Sequence, residues 1–126
     1  MATILIVDDD NNIRETLAEL LSDSNECHTA DRAEQALAYL EVENYDVVLT
    51  DISMPGLSGR EILKCVQERH PTTPVIVISG DSNAEAAAEL LSLGAFAYLT
   101  KPFQLEVVED TVNRALARRQ ELRATP

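Results

Sequence analysis

Short apolar runs alternate with segments of helical period along the whole chain. Five such pairs can be counted, and the strand-like runs cover residues 4–7, 27–30, 46–50, 75–78 and 96–99. Strict alternation of strands and helices requires crossover connections, which place parallel strands in one sheet with helices on both faces. The pattern therefore predicts a doubly wound α/β fold, a (βα)5 three-layer sandwich with a five-stranded parallel sheet.

The length and composition of the chain agree with one domain of this kind. A chain of 126 residues has the size of a single domain. Hydrophobic residues make up 45% of it and aromatic residues only 4%, so the core must consist of Val, Ile, Leu and Ala. Buried parallel sheets have this composition. We expect one domain over residues 1–120 and a C-terminal tail or the start of a linker over residues 121–126.

Charge and cysteine content exclude several classes of protein. The formal net charge of -12 opposes non-specific contact with nucleic acid and with anionic membranes. Cys27 and Cys65 have neither the number nor the spacing of a disulfide framework or a metal knuckle. No apolar stretch approaches the roughly 20 residues of a membrane span. We therefore expect a cytoplasmic protein, without membrane contact and without direct nucleic-acid binding by this domain.

Polar residues at fixed spacings predict where the helices begin. Asp10 is a plausible N-cap of the first helix. Asp31 and Glu34 have the spacing of a capping box ahead of the second helix, and Ser82 and Glu85 have it ahead of the fourth. The residues expected on the inner face of the fourth helix are Ala84, Ala87, Ala88 and Leu91.

Four charged residues directly follow predicted strands. Asp8 and Asp9 follow the first strand, Asp51 follows the third, and Lys101 follows the fifth. The carboxyl ends of parallel strands meet at one edge of a sheet, and open α/β sheets bind their ligands at that edge. We therefore expect these three carboxylates and one ammonium group to lie together.

The chemistry of such a cluster points to a divalent cation and a phosphoryl group. Two carboxylates about 4 Å apart repel by about 4 kcal/mol at an effective dielectric of roughly 20, so the cluster needs a cation. Oxygen ligands select a hard ion such as Mg²⁺, with Mn²⁺ as a substitute. Asp51 is the expected nucleophile because an aspartate can form an aspartyl phosphate. Lys101 can then pair with the phosphoryl group, and the Ser79 hydroxyl can donate to another of its oxygens.

Four motifs carry these residues: ILIVDDD at 4–10, LTDISMPG at 49–56, VISG at 77–80 and YLTKPF at 98–103. Together they resemble the receiver domain of two-component response regulators, in the CheY-like superfamily, over nearly the whole chain. The resemblance implies a flavodoxin-like sheet in strand order 2-1-3-4-5. The first and last motifs resemble receivers at the N-terminus of transcriptional regulators.

The resemblance also implies a set of functional residues. Asp51 would accept a phosphoryl group from a sensor histidine kinase or a histidine phosphotransfer protein. Asp8, Asp9 and Asp51 would hold Mg²⁺ together with the backbone carbonyl of Ser53. Beyond self-catalysed transfer to Asp51 and autodephosphorylation, no enzymatic turnover is implied.

Further residues would act as a switch. The Ser79 hydroxyl would move toward the phosphoryl group and the Tyr98 ring would turn inward behind it. Ser53 and Asp81 would tune the lifetime of the phosphoryl group, and the bond between Lys101 and Pro102 would be cis. The moving surface would comprise the fourth helix, fifth strand and fifth helix, through which a homodimer is possible.

Two other functions compete with this interpretation. A Mg²⁺-dependent phosphohydrolase with an aspartyl-phosphate intermediate typically has a second acid two residues after its nucleophile, where this chain has Ser53. A flavodoxin-like module that binds a phosphorylated cofactor needs a loop rich in Gly, Ser and Thr, whereas DDDNN at residues 8–12 repels phosphate. Neither alternative accounts for Lys101 and Pro102 as well.

Overall fold

Five strands alternate with five helices in the computed structural model, which describes residues 1–52, 59–81 and 83–124. In chain order the elements are β1 (Ala2–Val7), α1 (Asn11–Leu21), β2 (Asn25–Ala30), α2 (Ala33–Val42), β3 (Val47–Asp51), α3 (Gly59–Arg69), β4 (Val75–Ser79), α4 (Ala84–Ser92), β5 (Ala97–Thr100) and α5 (Leu105–Ala124). The observed strands begin and end within two residues of the predicted ones. No helix in the described ranges is both long and apolar enough to cross a bilayer.

The five strands form one parallel sheet in the order β2-β1-β3-β4-β5, which confirms the predicted fold and strand order. Val7 pairs with Ala30 on one side and with Thr50 on the other, so the carboxyl ends of the first three strands are level. Ser79 pairs with Thr100 at the same edge. The chain therefore presents the residues that follow β1, β3, β4 and β5 along one edge of the sheet.

Alternate residues of each central strand enter two separate cores. One core lies under α2, α3 and α4 and contains Leu5, Val48 and Val77. The other lies under α1 and α5 and contains Ile4 and Leu49. Every residue of β3 and β4 is buried, because helices cover both faces of these strands. This explains why the strands appear in the sequence as continuous apolar runs rather than as alternating ones.

The N-terminal caps of the helices were predicted with mixed success. Asp10 caps α1 as expected, since its side chain accepts from the backbone N–H groups at the start of the helix. The capping box at Asp31 is wrong, because α2 begins after Arg32, whose side chain makes no capping bond. In α4 the side chain of Asn83 accepts from the N–H of Glu85, and the capping box assigned to Ser82 stays a prediction. Ser82 itself lies outside the described residues.

The inner face of α4 was predicted incorrectly. Ala84, Ala88 and Leu91 are exposed, whereas Leu90 is the buried residue of this helix. The adjacent leucines Leu90 and Leu91 offer two alternative faces, and the small alanines around them contribute too little apolar area to decide between the two. Packing against the sheet makes the choice, and Leu90 is the one fully buried side chain of α4.

The last helix runs through Ala124 and is attached near its end by a polar contact. Arg119 donates from Nε to Asp46 Oδ1 at 2.8 Å and from Nη1 to the hydroxyls of Thr72 and Thr73. The other carboxylate oxygen of Asp46 accepts from the backbone N–H of Thr3 at 2.8 Å. This network joins α5 to the amino edge of the sheet, opposite the edge that carries the acidic residues.

Gly59 gives a test of how closely α3 packs against β3. A Cβ atom at Gly59 would lie 2.4 Å from the carbonyl oxygen of Asp51 and 3.0 Å from Cα of Ile52. Gly59→Ala should therefore lower the free energy of unfolding by about 1–3 kcal/mol, the usual cost of overpacking. A decrease in the free energy of unfolding would be informative, because alanine in a helix is otherwise favoured over glycine by about 1 kcal/mol. Urea denaturation measures the change.

Gly80→Ala is the matched control, since a Cβ atom there would meet nothing within 4 Å. Its unfolding midpoint should stay close to that of the wild type. If Gly59→Ala were as stable as Gly80→Ala, the close approach of α3 to the Asp51 backbone would be wrong.

Candidate functional site

The carboxyl edge of the sheet brings together the acidic residues predicted from the sequence. Asp8 follows β1 and is fully buried, while Asp51 ends β3 and is 4% exposed. Asp9 is exposed beside them. One carboxylate oxygen from each of the three lies within 4.8 Å of the other two. Three negative charges this close repel strongly, and the burial of two of them weakens screening by solvent.

Lys101 partly compensates this charge. Its Nζ lies 3.0 Å from Oδ2 of Asp8 and 3.0 Å from Oδ2 of Asp51. It donates a hydrogen bond to Asp51, whereas its contact with Asp8 is an ion pair without hydrogen-bond geometry. Oδ2 of Asp8 is thus a buried carboxylate oxygen that accepts no hydrogen bond from the described residues. Such oxygens are the ligands that hard divalent cations take, and the donor set of the three aspartates fits Mg²⁺.

The pKa values of two of these groups are shifted by their surroundings. Burial raises the pKa of Asp8, and the charge of Asp51 adds to this, while the N–H of Asp10 and the ammonium of Lys101 act in the opposite direction. Burial alone would lower the pKa of Lys101, but its contacts with Asp8 and Asp51 outweigh burial and raise it. The ammonium group therefore stays charged at neutral pH, and the Asp8 carboxylate takes up a proton more readily than an ordinary aspartate.

The loop after β1 is held by its own backbone and by the first turn of α1. Oδ1 of Asp8 accepts from the N–H of Asp10 at 2.8 Å. The Asp10 side chain caps α1 by accepting from the N–H groups of Asn12 and Ile13. The carbonyl oxygen of Asp8 accepts from Nη1 of Arg14 at 2.8 Å. Sequence reasoning missed Arg14, and its only signal is a basic residue in a first helical turn, where cations are disfavoured.

The residues expected to act as a switch both contact the backbone of one residue, Asp81. Ser79 is the last residue of β4 and is almost fully buried, and its hydroxyl accepts from the N–H of Asp81 at 3.0 Å. The Tyr98 hydroxyl donates to the carbonyl oxygen of the same Asp81 at 2.6 Å. The main chain of Asp81 thus connects the two side chains. No sequence pattern predicts these contacts, because they are made with backbone groups of Asp81.

Two further expectations concern the loops at this edge. The peptide bond between Lys101 and Pro102 is cis. Ser53, whose backbone carbonyl was expected to hold the metal and whose side chain was expected to tune the phosphoryl lifetime, lies outside the described residues.

Comparisons with known proteins show the family of the chain. The family model for the response regulator receiver domain matches residues 4–113. NtrC of Salmonella typhimurium, a DNA-binding transcriptional regulator, is 39% identical over 119 residues, which are 94% of this chain and 25% of that protein. The chain thus spans about a quarter of the length of this relative.

Two solved structures illustrate the likeness of the fold. A response regulator receiver domain protein from Clostridium thermocellum has a TM-score of 0.89 and 34% identity, over 97% of this chain and 99% of that one. NtrX from Brucella abortus, solved in complex with ADP, has a TM-score of 0.90 and 36% identity, over 97% of this chain and 28% of that one.

The mutual repulsion of the carboxylates can be tested without any metal. Asp9→Asn removes one negative charge from the cluster and no packing, since Asp9 is exposed. We expect its melting temperature in a chelating buffer to exceed that of the wild type, and the difference to shrink at high salt. Asp23→Asn, an equally exposed acid in the turn between α1 and β2, is the control and should change little. A lower melting temperature for Asp9→Asn would contradict repulsion within the cluster.

Proposed function

The chain belongs to the response regulator receiver family, and from this membership we propose that Asp51 accepts a phosphoryl group from a phosphohistidine. The donor would be a sensor histidine kinase or a histidine phosphotransfer protein. Members of the family are signalling switches and not classical enzymes. One observation carries the proposal: Asp51 is clustered with Asp8 and Asp9 within 4.8 Å and lies 3.0 Å from the ammonium group of Lys101.

Receiver domains generally bind Mg²⁺ at an acidic pocket, and the aspartate cluster has the donors for it. We propose that Asp8, Asp9 and Asp51 hold the ion with the Ser53 carbonyl, and that Mn²⁺ substitutes for Mg²⁺. When bound, the ion supplies positive charge that offsets the carboxylates and the phosphoryl oxygens. The net negative charge that remains after Lys101 has paired with two carboxylates is the driving force for taking up a cation.

In the proposed reaction, a carboxylate oxygen of Asp51 attacks phosphorus while the bond from phosphorus to the donor imidazole breaks. The imidazole nitrogen leaves with the bonding electrons, and an acyl phosphate forms on Asp51. Lys101 pairs with a phosphoryl oxygen, and because its pKa is raised it does so as a full cation. The Ser79 hydroxyl, almost fully buried at the adjoining strand end, donates to another phosphoryl oxygen. The protein contributes alignment and charge stabilisation.

The contacts of Asp81 support a specific route from phosphorylation to a change of shape. A phosphoryl group adds roughly -1.5 to -2 charges and three acceptor oxygens. If the Ser79 hydroxyl turns to donate to it, the bond from the Asp81 N–H is weakened. If Tyr98 turns inward, it gives up the Asp81 carbonyl. Both movements release the backbone of the same residue, Asp81, so we propose that they occur together. The Asp81 side chain and Ser53 would then influence how long the phosphoryl group survives.

The surface that would respond consists of α4, β5 and α5. Within the described part of α4, Leu90 is the buried side chain, so this helix can shift at a small cost in buried area. Leu91, Leu93, Leu105 and Val107 are 43–50% exposed on these elements and the loops beside them. We propose this face as the output surface and as the surface of a possible homodimer.

The relatives extend this proposal beyond the chain. NtrC is a DNA-binding transcriptional regulator, and this chain matches a quarter of it. We propose that the chain is the receiver of a cytoplasmic transcriptional regulator in a two-component phosphorelay, with residues 1–120 as the receiver and 121–126 leading toward a linker. With a formal charge of -12, the receiver itself would not contact DNA or a membrane.

Chemical labelling tests the acceptor. Incubation with acetyl phosphate and Mg²⁺ should give one phosphoryl adduct by intact mass in the wild type and in Asp23→Asn. The adduct should be lost in Asp51→Asn, and a chelator should suppress it in the wild type. Equal labelling of Asp51→Asn would show that another residue is the acceptor. Repeated release of phosphate from small phosphate esters would instead favour a phosphohydrolase.

The metal site makes a prediction about pH. At a Mg²⁺ concentration of ten times Kd, binding to the folded state should add about 1.4 kcal/mol to the free energy of unfolding. Because the pKa of Asp8 is raised, protons compete for this carboxylate at a higher pH than for an ordinary aspartate. The Mg²⁺-induced rise in melting temperature should therefore be full at neutral pH and smaller in mildly acidic buffer.

Asp8→Asn is the matched control for the pH experiment, since it keeps the shape of the side chain and removes its charge. Its Mg²⁺-induced shift should be small at both pH values. If Mg²⁺ did not raise the melting temperature of the wild type at neutral pH, this result would argue against a metal at this cluster.

A further inference from the structure

Arg14 belongs to α1 and contacts the acidic loop at a backbone carbonyl and an amide side chain rather than at a carboxylate. This half-buried residue lies in the first turn of α1. Its Nη1 donates to the carbonyl oxygen of Asp8 at 2.8 Å, and its Nη2 donates to Oδ1 of Asn11 at 2.7 Å. Asp9 and Asp10 lie between these two acceptors in the chain. One guanidinium group therefore spans the whole segment that carries the acidic residues.

The place of this arginine in the helix needs a reason. The N-terminal end of a helix carries partial positive charge from its unpaired N–H groups, and a cation there is disfavoured. The described first turn of α1 holds no acidic side chain that would offset it, apart from the capping residue Asp10. The hydrogen bonds of Arg14 with the loop offset the unfavourable interaction of its charge with this end of the helix.

The contact with the Asp8 carbonyl helps to hold the backbone that carries the first carboxylates of the cluster. Asp8 is held at four places: its N–H by the carbonyl of Ala30, its carbonyl by Arg14, its Oδ1 by the N–H of Asp10, and its Oδ2 by the ion pair with Lys101. Without a cation, the repulsion among carboxylates that lie within 4.8 Å of one another favours a more open loop. The bond from Arg14 opposes this movement through the main chain, without occupying a carboxylate oxygen.

We propose that Arg14 is a positioning residue for the divalent cation. It holds residues 8–11 in the arrangement that receives the ion. A site that is already formed before the ion arrives loses less entropy on binding, so its affinity is higher. The inference rests on the proposed function only in that the aspartate cluster binds a divalent cation. Arg14 itself touches neither the ion nor the phosphoryl group.

Two simpler roles for Arg14 predict different results. If Arg14 acted only through its charge, its removal would strengthen the binding of Mg²⁺, since a nearby cation repels the ion. If it only stabilised the fold, its removal would lower the melting temperature and leave the Kd for Mg²⁺ unchanged. Of the three roles, only positioning predicts that Mg²⁺ binding becomes weaker when the positive charge of Arg14 is removed.

The experiment measures the Kd of Mg²⁺ by calorimetric titration of the full chain. Arg14→Met should raise it about tenfold, which corresponds to about 1.4 kcal/mol. Arg14→Lys should have an intermediate effect, because a single ammonium group does not match the forked geometry of a guanidinium. Arg118→Met removes the same charge from the exposed part of α5 and should stay within about twofold of the wild type.

Two further readouts separate positioning from general damage. In the metal-free protein, amide hydrogen exchange over residues 8–12 should be faster in Arg14→Met than in the wild type, while the strands keep their protection. At saturating Mg²⁺, labelling of Asp51 by acetyl phosphate should return to within about twofold of the wild-type rate. Asn11→Ala keeps Arg14 and removes the second acceptor of its guanidinium, together with an exposed hydrogen bond from Asn11 to Glu15, and it replaces Arg14→Met if that variant does not fold.

A Kd for Arg14→Met that equals or falls below that of the wild type would overturn the inference, as would unchanged hydrogen exchange in the loop. If Arg14→Met does not fold, the same outcomes with Arg14→Lys and Asn11→Ala would overturn it. If the wild type itself does not bind Mg²⁺, the proposed metal site fails and Arg14 has no ion to position. This last result comes from the wild type alone, so it is distinguishable from a failure of the Arg14 inference.

Discussion

The buried carboxylates of Asp8 and Asp51 lie beside each other because the ammonium group of Lys101 lies 3.0 Å from both. Burying a charge without a partner is strongly unfavourable, so this arrangement depends on a cation supplied from elsewhere in the chain. Lys101 follows β5, and the strand order β2-β1-β3-β4-β5 brings the ends of β1, β3 and β5 within reach of one another. One ammonium group against three aspartates leaves the cluster negative, and this excess favours the binding of a divalent ion.

The rigidity of the structure is unevenly distributed, in a way that suits a switch. Every residue of β3 and β4 is buried between two layers of helices, so the strands that position Asp51 and Ser79 are held on both faces. Helix α4 buries one side chain, Leu90, and most of its residues are exposed. A charge added to Asp51 therefore acts on a fixed frame, while the element that would respond costs little to move.

Main-chain contacts connect the site to its surroundings. The backbone N–H and C=O of Asp81 contact the Ser79 and Tyr98 side chains, and the Asp8 carbonyl is bound by Arg14. Each contact lets one residue influence the site without occupying a carboxylate oxygen. Such interactions depend on where the backbone lies, so residue identity gives little sign of them.

The sequence by itself determined the alternation of strands and helices, the residues at the strand ends and the cap at Asp10, because these follow from local periodicity and local hydrogen bonding. The strand order came from the resemblance of its motifs to a known family, and the structure confirmed it. Only the tertiary structure decided that Leu90 and not Leu91 faces the core, that Asn83 caps α4, and that Arg119 binds Asp46, 73 residues away. These outcomes depend on which surfaces pack together, and packing between distant segments is not encoded in any short stretch of the chain.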